Sequence, residues 1–172
     1  SKGALTAIRQ ISEMQVDVPM LAMTHCDASK LAKQHGKKSE YALCAAQWHK
    51  SLSYSDDFFG NGMQFDKEFN DMYGYAPPYQ AAESAAALLV YKAAFERANS
   101  FDKDKVRDAL AQTDMQTFYG NIKFSDTGQN IAKPMVLFQV RCEGDVCSNK
   151  VVAPTKWASA TLVHPIPTWS ER

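Results

Sequence analysis

The stretch "VDVPMLAMTHCDASKLAKQHGKKSEYALCAAQW", residues 16–48, decides the fold. It holds two short apolar runs, "VPMLAM" and "YALCAAQW", each suited to a strand buried on both faces. Between them "ASKLAKQH" reads as a short helix. Asp27 is placed to cap it, and Gly36 is placed to end it in the left-handed region. Before this stretch, Leu5, Ile8, Ile11 and Met14 recur at three-residue spacing, one face of a helix over residues 3–15. After it, Ser55 is placed to cap a helix carrying Phe58, Phe65, Phe69 and Met72, with Gly60 and Gly62 weakening its first turns. The order helix, strand, helix, strand, helix predicts an α/β fold with parallel sheets flanked by helices and right-handed crossovers.

The alternation stops at "YGYAPPY", residues 73–79. Beyond it, residues 79–98 form one long alanine-rich helix expected to be largely buried. Asp102 caps a second helix, "KDKVRDALAQ", with Val106 and Leu110 facing inward. No strand separates the two, so they are expected to stack as a pair. "YGNIKFSDTGQN" follows as a strand and turn. "PMVLFQVRC" and "SNKVVAPTKW" then read as antiparallel strands, and "LVHPIPTWSER" as an extended tail. The compositional break at residues 74–78 is the expected domain boundary, with a second crossing near Lys133-Pro134. The expected parts are 1–75, 76–133 and 134–172.

The chain has 172 residues, 45% hydrophobic and 22% charged, which suits a globular protein of one domain or two small ones. Its 19 basic and 19 acidic residues balance, so nothing electrostatic recruits nucleic acid or an anionic membrane. No glycine-rich phosphate loop and no G-x-S-x-G elbow is present. His25, His35, His49 and His164 are scattered, and no metal or cofactor is expected. His25 and Cys26 do not make a nucleophile and base, because neighbours on extended chain point to opposite faces. Cys142 and Cys147 flank "EGDV" where two strands meet. A local disulfide across the hairpin tip and a set of free buried thiols both fit, the first implying an oxidising compartment.

Ligands of open α/β sheets bind beyond the carboxyl ends of parallel strands. The first strand ends in Thr24, His25, Cys26 and Asp27, and the second in Gln47, Trp48 and His49. Tyr79 opens the long helix, and Tyr79 and Trp48 offer aromatic walls for a small polar ligand. Structural readings stand beside these: Asp27 as a helix cap and Trp48 as core. Glu83, on a nearly apolar helix, has three: partner of an ammonium group, structural ion pair, or solvent edge. Gly74, Pro77 and Pro78 suit a stiff crossing between lobes, a hinge.

"PYQAAESAAALLVYKAAFERANSFDKDKVRDALAQTDMQTFYGNIKFSDTGQNIAKPMVLFQV" resembles the C-terminal part of bacterial periplasmic branched-chain amino-acid-binding proteins. "IRQISEMQVDVPMLAMTHCDAS", "YGYAPPY" and the tail look similar too. The resemblance implies a two-lobed type I periplasmic binding fold, here its C-terminal portion. Residues 1–75 would belong to the second lobe, 76–133 to the first after a hinge crossing, and 134–172 to the second again. It implies a non-enzymatic substrate-binding component of an ABC importer, periplasmic, with a signal peptide in the full-length protein. Its partners would be a leucine-like amino acid or related solute and a membrane permease. Ligand contacts fall on Tyr79 and on Thr24, His25 and Asp27. A sensory domain of the same fold is the alternative, and an enzyme with its catalytic residues elsewhere is a further one. A portion of such a fold has exposed sheet edges, so self-association or pairing with the missing N-terminal half is expected, with little ligand affinity of its own.

Overall fold

The computed structural model describes residues 2–24, 26, 28–133 and 135–172. Two compact units emerge. One is built from residues 1–46 and 135–172, the other from residues 47–134.

The first unit begins with α1 (Lys2–Glu13), β1 (Ala22–Met23), α2 (Ala28–His35) and β2 (Leu43–Ala46). Helix α1 buries Ala4 and Ile8, one turn apart, and α2 buries Leu31 and Ala32. Met14 lies past the end of α1 and is exposed. The expected strand "VPMLAM" shrinks to two residues and is not buried on both faces, since Met20 stays exposed. Here β1 runs parallel to β2 at the sheet edge, with Ala22 opposite Leu43 and Met23 opposite Cys44.

The second unit contributes β3 (Ser55–Asp56), β4 (Gly60–Asn61), α3 (Gly62–Tyr73), α4 (Tyr79–Ala98), α5 (Lys103–Ala111), β5 (Asp114–Thr117) and β6 (Gly120–Lys123). The chain then returns to the first unit as β7 (Val136–Glu143) and β8 (Val146–Ala153). The first unit's sheet is ordered β1-β2-β7-β8, and among the described residues only β1 and β2 are parallel. Strand β7 pairs antiparallel with both β2 and β8. The sheet is therefore mixed: the parallel pairing expected of the first two strands and the antiparallel pairing expected of the last two meet in one sheet.

Strand β7 is buried on both faces. Val136, Phe138 and Val140 alternate on one side. On the other, buried Gln139 carries an amide satisfied at three points. Its Nε2 donates to the carbonyls of Tyr41 (3.2 Å) and Val163 (3.0 Å), and its Oε1 accepts from the Val163 N–H (3.0 Å). The proline-rich tail is thereby tied across the sheet, helped by Trp169, whose Nε1 donates to the Val16 carbonyl at 3.0 Å. At the β7–β8 tip Gly144 takes φ +61° in a two-residue turn, the position where a type II′ hairpin favours glycine. Cys142 faces Cys147 in register and the two form a disulfide.

The helix expected from Ser55 starts instead at Gly62. Asn61 caps it, accepting from the Met63 and Gln64 amides at 3.0 Å each, and the Gln64 side chain answers to the Asn61 N–H. Gly62 is required by space, since a Cβ there would sit 2.7 Å from the Lys50 carbonyl oxygen. Phe58 is exposed in the β3–β4 turn, outside the helix.

Helix α4 spans the predicted residues but is not largely buried. Ala82, Ala86, Val90 and Ala94 make one inward stripe, while Leu88 and Tyr91 are exposed. It stacks on α5 as expected, through Ala94, Val106 and Ala109. Asp102 caps α5 with two amides at 3.1 Å.

Replacing Gln139 by Leu would strand two carbonyls and an amide in the sheet interior. Each unpaired buried group costs about 1–3 kcal/mol. Urea unfolding of Gln139→Leu is expected to show a loss of at least about 2 kcal/mol, and an unchanged midpoint would rule out this role for the tail.

Candidate functional site

In the first unit the sheet's only parallel pair, among the described residues, ends at Met23 and Ala46. Thr24 follows β1 directly and is exposed. His25 and Asp27 lie outside the described residues. Cys26, between them, is buried and disulfide-bonded to Cys44, the residue opposite Met23 in the parallel ladder. The bridge folds the turn after β1 back onto that strand's own pairing partner. Residue spacing had pointed only to Cys142 and Cys147. The second bridge is set by strand pairing between residues 18 apart.

In the second unit an aromatic cluster dominates. Phe118 is fully buried and stacks on Phe65, with ring centroids 4.3 Å apart. Trp48 meets both edge-on, at 5.9 Å from Phe65 and 6.1 Å from Phe118, and Phe59 closes the group. The indole N–H donates to the Phe118 carbonyl at 3.4 Å. Trp48 is thus core, not an open wall for a ligand. Asp56 ties the neighbouring turns together. Its carboxylate accepts from the amides of Phe58 (2.9 Å), Phe59 (2.7 Å) and Phe118 (2.6 Å). A half-buried ion pair, Lys50–Asp66 at 2.7 Å, pins α3 to the turn after Trp48.

This packing corrects the hinge. Phe65 and Phe69 hold α3 in the same unit as α4, so "YGYAPPY" joins two helices inside one unit. The chain passes between units after Ala46, not at residues 74–78, and again before Met135. Gly74 ends α3 at φ +75°, its amide donating to the Asn70 carbonyl at 2.8 Å. Pro78 is the N-cap of α4, with Pro77 just before it. Tyr73 and Tyr75 pack around Phe69 at the helix end.

Tyr79 is the half-buried first residue of α4, and Glu83, one turn on, is at the solvent edge. Both act electrostatically on Tyr119, a buried residue between β5 and β6. Lys133 completes the group. Its ammonium donates to the Gln47 carbonyl and lies 4.0 Å from the centre of the Tyr119 ring. Its stem runs over Gly120, where φ is +146° and an added Cβ would overlap that stem. Burial pushes the Lys133 amine down to about 8, with Glu83 opposing the shift. Burial pushes the Tyr119 hydroxyl up, reinforced by Glu83 and then Tyr79. The residue order had singled out Lys133 only as a crossing point and Gln47 only as a strand end. Tyr119 carried no signal beyond its neighbouring glycine.

A cavity of about 490 Å³ in the second unit is lined by Asp56, Asp57, Phe58, Lys92 and Glu96 among others. It contains none of the residues proposed from the sequence, and the Lys92–Glu96 pair at its wall is already satisfied at 2.6 Å. The described residues include no helix long and apolar enough to cross a membrane.

A family model described as "Periplasmic binding protein" matches residues 1–145. The chain belongs to that family. Its fold is the type I periplasmic binding fold with a mixed sheet flanked by helices. Among solved structures, it is similar to a leucine-binding protein from Thermotoga maritima at 22% identity and a TM-score of 0.68, covering 88% of this chain and 42% of that one. A putative branched-chain amino acid ABC transporter protein from Silicibacter pomeroyi matches at 18% identity and 0.70, covering 98% and 45%. A leucine-, isoleucine-, valine-, threonine- and alanine-binding protein from Brucella ovis, in a closed conformation, matches at 12% identity and 0.71, covering 97% and 44%. The chain therefore spans less than half the length of each of these periplasmic binding proteins.

The lowered Lys133 amine has a pH consequence. Unfolded, the amine titrates near 10.5, and folded near 8, so between these values the unfolded chain holds more protons. Stability is expected to rise as pH climbs from about 8 to about 10.5. Lys133→Met should flatten that rise in denaturant titrations at stepped pH, and an unaltered slope would contradict the buried amine.

Proposed function

We propose that this chain is part of an extracytoplasmic, non-enzymatic solute-binding protein that holds a free amino acid and delivers it to the membrane permease of an ABC importer. Membership of the periplasmic binding protein family across residues 1–145 carries the reading. Two disulfides in one small unit support an oxidising compartment. The names of the similar structures, which specify leucine and related amino acids, favour an apolar amino acid as ligand.

In this reading the first unit offers Thr24 at the carboxyl end of β1, a position where α/β sheets bind ligands, with His25 and Asp27 following it in the sequence. The second unit offers Tyr79, half-buried at the start of α4. A ligand that stabilises one arrangement of such a protein shifts its population by its differential affinity.

Calorimetric titration of the full-length protein with leucine, isoleucine and valine tests this. At least one is expected to bind with a Kd well below about 1 mM. Tyr79→Ala should weaken that binding about tenfold, equivalent to about 1.4 kcal/mol. The proposal fails if none of the three is bound.

A further inference from the structure

We infer that the Cys26–Cys44 disulfide sets solute affinity: it holds Thr24, after β1, in the position that binds, and its reduction weakens binding. This deepens the solute-binding reading and rests on it.

Strand β1 on its own is a poor mount for a binding residue. It lies at the sheet edge, is two residues long, and pairs only as Ala22 with Leu43 and Met23 with Cys44. So short an edge strand opens locally at little cost. The chain leading into it is fastened by the C-terminal tail. The Pro19 carbonyl accepts from the Ile166 N–H at 3.0 Å, and the Asp17 carboxylate from the Trp169 N–H at 2.9 Å. Those ties lie before β1, whereas Thr24 lies after it.

Cys44 supplies the hold beyond β1. Its backbone pairs with Met23 and its sulfur bonds to Cys26, so one residue fastens both ends of the two-residue segment that begins with Thr24. Cys44 is fully buried, and on its other side it pairs with Phe138 of β7. Thr24 is thereby referenced to the interior of the sheet and not to its edge. Its own side chain is exposed, as contact with a solute requires. Reduction by a dithiol breaks the S–S bond, places two electrons and two protons on Cys26 and Cys44, and oxidises the dithiol to a disulfide. The freedom that Thr24 gains must then be given up on binding, which lowers affinity. By linkage, a bridge that favours the solute is itself favoured by it. The Cys142–Cys147 bridge is an internal control. Its Cys142 stands four residues along β7 from Phe138, about 13 Å of strand, at the half-buried hairpin tip.

The test uses the full-length protein and leucine. Calorimetry on Cys26→Ser/Cys44→Ser is expected to show leucine bound at least tenfold more weakly, whereas Cys142→Ser/Cys147→Ser should bind as wild type does. Thr24→Ala is expected to weaken leucine in the wild type and to add little in Cys26→Ser/Cys44→Ser, the non-additivity that marks a positioning role. A bridge that only stabilised the fold would lower the unfolding temperature and leave Kd alone. Should the double variant fold poorly, the wild type decides. It is equilibrated in graded ratios of reduced to oxidised dithiothreitol, trapped by alkylation, and read bridge by bridge by mass spectrometry. Saturating leucine should move the Cys26–Cys44 midpoint about 30 mV more negative for each tenfold of coupling, with native circular dichroism kept, and leave Cys142–Cys147 in place. Wild-type binding with Kd unchanged in Cys26→Ser/Cys44→Ser would overturn the inference and leave the solute-binding reading intact. So would additive losses with Thr24→Ala, a leucine shift shared by both bridges or absent from both, or reduction that unfolds the protein. Absence of wild-type binding to leucine, isoleucine and valine would remove the solute-binding reading and this inference together.

Discussion

The antiparallel pairing of β2 with β7 is the constraint on which the rest of this protein depends. It sets Ala46 opposite Val136 and Leu43 opposite Gln139. Everything between, residues 47–134, is an excursion closed by that one ladder. Closing a flexible loop of about ninety residues costs on the order of 4 kcal/mol in chain entropy beyond a constant. The ladder bears that cost only because the excursion has a core of its own. Phe118, Phe65 and Trp48 stack within it, and Asp56 gathers three amides from two separate turns.

The same constraint concentrates chemistry near the two crossings. Gln47 and Lys133 stand at opposite ends of the excursion, and the ladder brings them together. Lys133 then meets Tyr119 and Gly120 on the hairpin between β5 and β6, and falls under the influence of Glu83 on α4. No element contributes more than two members of this group. An ammonium held half-buried on one carbonyl and one ring face is costly to desolvate.

Much of the fold was legible from residue order. Helix α4 begins at Tyr79 and ends at Ala98 as its alanine pattern and the proline before it predict. Asp102 caps α5, and Cys142 meets Cys147 across a turn of two residues. These are local signals, decided within a few residues of chain. The failures are all non-local. Ser55 does not start a helix, because Asp56 binds amides in its own turn and that of Phe118, 62 residues away. Asn61 offers the better cap five residues beyond Asp56. The hinge expected at Gly74, Pro77 and Pro78 gave way because the aromatic face of α3 packs into the same unit as α4. Of the candidate residues, Tyr79 stands at the start of a helix as its place in the sequence predicts, whereas Trp48 had two readings that only packing separates.

The sequence by itself determined the α/β character, the long helix, the hairpin and the resemblance to periplasmic binding proteins. Hydrophobic period, capping residues and turn residues act over one or two turns of chain and do not need the rest of the molecule. Tertiary structure alone decided the mixed strand order, the Cys26–Cys44 bridge, the crossing after Ala46 and the company of Lys133. The partners stand from 13 positions apart, as Gly120 and Lys133, to 96, as Leu43 and Gln139. Whether such partners meet depends on a single cooperative balance of loop entropy against buried surface, and no local pattern encodes it.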